Sequence, residues 1–289
     1  MVQATDYIEH RVVREQGYVY ARDYSGQGPA FVLMHGFPDD HRIYDDLVPL
    51  LVAAGRRVVT FDFLGFGMSE KRSGVAYGFA QQLGDLEAVV DGLDLGQIVP
   101  VAHDASGMAA VNYALARPDG VASVIMLNSA YADDDTVIWP EMITLFATKK
   151  MQDLSLAIAQ SPEQFGWLLH WQQKKFEERL SVSQREKFGR ILQPIITGAF
   201  TEHPSSGPAF LQIADQFFEE LRRNAGHVPE LQKLDVPFKL IWGERDPYLT
   251  LAMAERRLTQ LKHGALIVLP AGHWLQLDEP ALVAKSMLS

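Results

Sequence analysis

Pro100-Val101-Ala102-His103-Asp104-Ala105-Ser106-Gly107 carries an apolar strand, read from Gln97 to Ala102, straight into a small-residue turn and a helix read from about Ser106 to Ala116. A turn this tight is strained, so its flanking positions must be small. It lifts one side chain above the end of the sheet, beside a helix N-terminus. Ala102 and Ser106 meet that size limit around Asp104, which makes the Asp104 carboxylate the candidate nucleophile. Shifting the frame so that Ser106 attacks asks for small residues at Asp104 and Met108 and finds neither. The competing reading of Asp104 is structural, since aspartate is a favoured helix N-cap.

Three further segments fall where such a turn needs partners. Met34-His35-Gly36-Phe37-Pro38 follows the apolar run from Ala30 and can aim the N–H of Phe37 at the turn. With the N–H of Ala105 it would form an oxyanion hole; the alternative is an ordinary Gly-Pro turn. Trp242-Gly-Glu244-Arg245-Asp246 also ends an apolar strand, read from Pro237, and offers Asp246 as an orienting acid. Glu244 stays open as a substitute, and the competing reading of either carboxylate is a surface ion pair with Arg245. Pro270-Ala-Gly-His273-Trp274 sits in the loop after the last apolar run, Ala265 to Leu269. A lone loop histidine is usually just solvated, but the order nucleophile, acid, histidine makes His273 the candidate base.

Outward from these motifs, strands are read around Val12, from Tyr18 to Tyr24, from Arg57 to Phe61 and from Ser123 to Leu127. Helices are read from Phe79 to Leu93, from Thr250 to Leu261 and from Glu279. Strands alternating with helices predict right-handed crossovers and a mostly parallel sheet, with the ligand site beyond its carboxyl ends. From Tyr131 to about Lys233 the pattern turns helical. The expected architecture is therefore an α/β fold with a core of residues 1–130 and 236–289 and a helical cap of residues 131–235.

The chain has 289 residues, 47% hydrophobic and 21% charged, as befits an ordinary globular protein. A net charge of -10 with no basic block argues against nucleic acid or an anionic membrane as partner. The absence of cysteine removes disulfides, thiolate nucleophiles and cysteine metal sites. There is no apolar leader and no run of roughly 18 apolar residues, so a cytoplasmic location is expected. No metal or organic cofactor is implied, because neither His-Glu-x-x-His nor a phosphate-binding glycine loop occurs. The expected partners are a small-molecule substrate and water, with the chain a monomer or homodimer.

With these segments in place the sequence resembles the α/β-hydrolase superfamily, and within it the aspartate-nucleophile branch of epoxide hydrolases and haloalkane dehalogenases. His35-Gly-Phe-Pro38 and Gly272-His-Trp274 are similar to epoxide hydrolase motifs. Phe61-Asp-Phe-Leu-Gly-Phe-Gly-Met-Ser-Glu-Lys71 is similar to a segment that haloalkane dehalogenases carry after their fourth strand. Two departures stand out. The resemblance implies cap tyrosines that protonate an opening epoxide, yet the cap segment holds only Tyr131. It implies a halide-binding Trp after the nucleophile or Asn after the His-Gly pair, and those positions are Ala105 and Phe37. Some dehalogenases keep their acid after the preceding strand, where this chain has Asn128, so Asp246 remains the candidate.

Candidate substrate contacts are His35, Pro38, His103, Tyr131, Trp139, Trp167, His170, Trp171 and Trp274. At helical spacing aromatic residues more often pack a cap against its core, which is the competing reading of Trp139, Trp167, His170 and Trp171. His35 and His103 are also placed to orient backbone, while His10, His41, His203, His227 and His263 read as surface residues. A carboxylate nucleophile suits displacement at sp³ carbon, since attack on an ester would give a high-energy anhydride. The expected chemistry is an epoxide, or alternatively a haloalkane, opened by Asp104 to an alkyl ester that His273-activated water releases. A serine esterase using Ser106 and a non-catalytic receptor are the rivals.

Overall fold

The computed structural model describes residues 6–289; the first five residues of the expected core lie outside it. Among the described residues one sheet holds the strands β1 (Ile8–Arg14), β2 (Gly17–Tyr24), β3 (Gln27–Met34), β4 (Arg56–Phe61), β5 (Ile98–Asp104), β6 (Val124–Ser129), β7 (Phe238–Gly243) and β8 (Gly264–Leu269). Their spatial order is β1-β2-β4-β3-β5-β6-β7-β8. β2 runs antiparallel to both neighbours, and from β4 to β8 every pairing is parallel.

Burial explains the order. β3, β5, β6 and β7 are near-continuous apolar runs, buried on both faces, and occupy the middle of the sheet, as parallel strands covered by helices must. β1 and β8 alternate or expose their residues and form the edges. The covering helices are α1 (Val48–Ala53), α2 (Phe79–Gly92) and α3 (Gly107–Ala116). β3 begins before Ala30, β5 runs past Ala102 to Asp104, and α1 answers no sequence expectation. At six residues with a proline in its first turn, α1 is too short to show a helical period.

Between β6 and β7 the chain is helical: α4 (Glu141–Ala147), α5 (Gln152–Ala159), α6 (Pro162–Glu177), α7 (Val182–Lys187), α8 (Gln193–Thr201), α9 (Gly207–Ala225) and α10 (Val228–Leu231). α11 (Leu251–Leu258), α12 (Leu275–Asp278) and α13 (Pro280–Leu288) complete the core. α9 buries Phe210, Ile213, Ala214, Phe217 and Leu221, the three-and-four spacing of one helix face. Phe217 meets Phe37 and Phe79 of the core at ring-centroid distances of 6.0 Å each. Among the described residues no helix is long and apolar enough to cross a membrane.

Candidate active site

β5 ends on Asp104, whose φ of 55° is left-handed. Few side chains adopt that conformation without cost, and here it turns the carboxylate up from the strand end while α3 starts beneath it. The turn closes because its neighbours lack bulk. A Cβ on Gly36 would stand 2.6 Å from both Cβ and Oδ2 of Asp104, and one on Gly107 would stand 2.3 Å from the carbonyl oxygen of Ala130. The capping alternative is thereby removed, since α3 begins after Ser106 with no side-chain cap.

The carboxylate meets the expected partners. The N–H of Phe37 donates to its Oδ2 at 3.3 Å, and the N–H of Ala105 also bonds it. His273 Nε2 lies 3.6 Å from Oδ1. Burial lifts the Asp104 carboxyl to about 6; the His273 charge pulls it down, Asp39 pushes it up, and the two amides pull it down again. His273 Nδ1 bonds Asp246 Oδ2 at 2.7 Å. Burial opposes a charged His273 ring, but Asp246 and Asp104 outweigh it and raise its pKa.

Asp246 is 2% exposed, and every oxygen is used. Its Oδ1 accepts from the N–H groups of Tyr248 at 2.9 Å and Leu249 at 3.1 Å. Its Oδ2 accepts from Asn128 Nδ2 at 2.8 Å. Burial alone would raise this carboxyl, yet His273 and these donors hold it below the usual range. Glu244, the substitute acid, is exposed. Asn128 also accepts the N–H of Gly243 at 2.6 Å, so one amide ties the ends of β6 and β7 together behind the acid.

A cleft of about 720 Å³, its mouth included, opens above Asp104 and is bounded by core loops and by the helical insertion. Phe37, Pro38, Trp139, His273 and Trp274 line it as the sequence suggested. The other suggested contacts do not. Trp167 is 66% exposed, and His170 is exposed too. Trp171 lies half-buried beneath the charge of Lys175. The reason is helical phase: the inner face of α6 carries Leu169, Gln172, Gln173 and Phe176, which turns Trp167, His170 and Trp171 away.

Tyr131 is buried behind the site, its hydroxyl donating to Asn112 Oδ1 at 3.0 Å. His35 and His103 are fully buried and line no part of the cleft. His35 Nε2 accepts the N–H of Phe63 at 3.0 Å. His103 Nε2 bonds the carbonyl of His273 at 3.0 Å, and burial beside His273 lowers its pKa to about 3. It holds the His273 loop as a neutral ring. His41, read as a surface residue, is 1% exposed and bonds Asp62 Oδ1 at 2.9 Å; a histidine between Asp40 and Arg42 in sequence gives no sign of such a long-range partner.

Sequence reasoning missed Tyr248, Gln172, Gln173 and Phe176, all in the cleft wall. Tyr248 stands outside the insertion, two residues beyond Asp246, which is why a search of the cap for tyrosines passes over it. Its hydroxyl donates to Glu141 Oε2 at 2.6 Å and accepts from Gln172 Nε2 at 2.6 Å. Ser106 is 1% exposed and its hydroxyl faces main-chain carbonyls, at 2.7 Å from that of His103 and 3.1 Å from that of Met34. It lies under the turn and outside the cleft lining.

Relatives carry several chemistries on this frame. Epoxide hydrolase B of Mycobacterium tuberculosis is 33% identical over 134 residues, an aligned stretch covering 46% of this chain and only 37% of that protein. Haloalkane dehalogenase 2 of Mycobacterium bovis is 26% identical over 275 residues, covering 91% of this chain and 88% of that one. A thermophilic esterase from Thermogutta terrifontis superposes with a TM-score of 0.74 at 20% identity, over 98% of this chain and 97% of its own, a likeness of fold alone. The family model described as the alpha/beta hydrolase fold matches residues 29–280. With the sheet order and the strand-end turn beside it, that match makes the chain a hydrolase of the α/β-hydrolase fold family.

Proposed function

We propose that this hydrolase opens an epoxide through a covalent alkyl ester on Asp104. The observation that carries the reading is the Asp104 carboxylate itself, raised at the turn with one oxygen bonded by backbone N–H and the other facing His273. Oδ1 attacks the less hindered epoxide carbon, the carbon–oxygen bond breaks, and the released oxygen takes a proton. Tyr248, in the cleft wall, gives it by releasing its bond to Glu141 Oε2, and the proton that His273 later takes from water restores the phenol.

His273, held by Asp246, then takes a proton from water, and the hydroxide attacks the ester carbonyl. The N–H groups of Phe37 and Ala105 stabilise the oxyanion, and collapse returns the carboxylate and a diol. The balance is one water per epoxide. Base catalysis of this kind contributes roughly 10² to 10⁴ in rate. His273→Gln should therefore trap the ester, seen as a mass increase equal to the substrate on the intact protein. A substrate turned over by the wild type that leaves no adduct on His273→Gln would remove the scheme.

Haloalkane hydrolysis by the same ester is the second reading, favoured by the indole of Trp139 in a mostly apolar cleft wall. Halide release and diol formation separate the two. A serine esterase is disfavoured by the buried, main-chain-bonded hydroxyl of Ser106.

A further inference from the structure

Polar atoms in the cleft wall are almost all engaged. Gln172 Oε1 accepts the N–H of Met142 at 2.9 Å, and its Nε2 donates to Tyr248. Trp274 Nε1 donates to Asp39 Oδ2 at 2.7 Å. Gln173, the next residue on α6, breaks the pattern. It is 4% exposed, its Oε1 accepts from Gln193 Nε2 at 3.3 Å, and its own Nε2 is buried without an acceptor.

Leaving a buried donor unmet is destabilising, and a leucine would fill the same space without that cost. Gln173 also lines two spaces at once: the cleft above Asp104, and a second hollow between α6 and α8 bordered by Phe165, His170, Gln193, Thr197 and Phe200. Leu169 is the other residue shared by both. Gln173 therefore stands at the partition between the cleft and the hollow.

We infer that Gln173 is a specificity-determining residue whose Nε2 donates to an acceptor oxygen on the substrate, an ether or carbonyl set along the chain from the reacting carbon. The inference rests on the Asp104 ester reading and narrows its substrate class to epoxides with such an oxygen. The buried amide is then satisfied only when substrate is bound, and an all-hydrocarbon epoxide forfeits that bond.

Butyl glycidyl ether and hexyloxirane, equal in chain length, separate the cases on wild type and Gln173→Leu. The expected result is a KM for the ether raised about tenfold by the substitution, the value for hexyloxirane held within about twofold, and a Tm unchanged or higher. Equal effects on both substrates, or a fall in Tm, would overturn the inference and assign Gln173 to packing.

Thermal stabilisation by the unreactive hexyl methyl ketone gives a readout that needs no turnover. Stabilisation of wild type but not of Gln173→Leu upholds the amide contact even if no epoxide is consumed and the ester reading has failed. Equal stabilisation of both proteins, or of neither, sinks it.

Discussion

Asp104 combines a left-handed φ with a carboxyl lifted to about 6, so the proposed nucleophile also strains the fold. Protonated, it cannot attack; kcat/KM should fall as pH drops below about 6, and a profile flat from pH 7 to 5 would contradict this. The same shift fixes a sign for stability. The native carboxyl holds its proton at a pH where the unfolded one, near 3.8, has lost it. Stability therefore declines as pH rises from about 4 to 6, and the loss persists above. Asp104→Asn should raise Tm at pH 7.5, by about 2–4 °C for each kcal/mol recovered, with the gain vanishing near pH 4. Calorimetry at both pH values checks it, and an unchanged or lowered Tm at pH 7.5 would show that the ion pair with His273 outweighs burial. At this scale the sequence was informative where a motif forces a residue type: small residues at Ala102 and Ser106 marked Asp104, and Gly272-His273 followed a strand. It gave no role to Asn128, which bonds Asp246, or to Tyr248, whose hydroxyl bonds Glu141 and Gln172, because those partners lie far away in the chain.

The ends of β6 and β7 meet through Asn128, itself at a left-handed φ of 36°. Its side chain accepts one backbone N–H of β7 and donates to Asp246, the acid that holds His273. Asn128→Leu leaves the N–H of Gly243 unmet and removes one of the two side-chain donors to Asp246 Oδ2. Stability should drop by about 1–3 kcal/mol, measured by urea unfolding. His273 would lose some of its anchoring, and kcat should fall more than KM changes; a variant with normal kcat would confine Asn128 to a structural role. Helix phase is the other lesson at this level. The run Trp167 to Trp171 drew attention by composition, yet the inner face of α6 is Leu169, Gln172, Gln173 and Phe176. An amphipathic helix announces two faces, and with glutamines inside and a tryptophan outside, hydrophobicity pointed to the wrong one.

Across the molecule, β/α alternation was legible because burial on both faces forces apolar strands, whereas the way the insertion sits on the core depends on aromatic contacts between distant segments. Phe217 makes some of these. Its ring lies 4.9 Å from that of Trp139 and 6.0 Å from those of Phe37 and Phe79, and it lines the cleft as well. Hydrogen bonds from Gln212 and Gln216 to the backbone of Val75 and Tyr77 fasten the same helix to the core. A seam built this way couples packing to substrate fit, because the rings that join insertion to core also shape the space over Asp104. Phe217→Ala should destabilise the protein by about 3–5 kcal/mol, the usual cost of deleting a buried phenyl ring. It should at the same time raise KM for small epoxides, since the enlarged cleft holds them less tightly over the carboxylate. If insertion and core form one cooperative unit, unfolding monitored by tryptophan fluorescence and by far-ultraviolet circular dichroism will move together to lower urea. Separation of the two transitions would mean that α9 rides on the core as a unit of its own, and that the cleft can open without the sheet giving way.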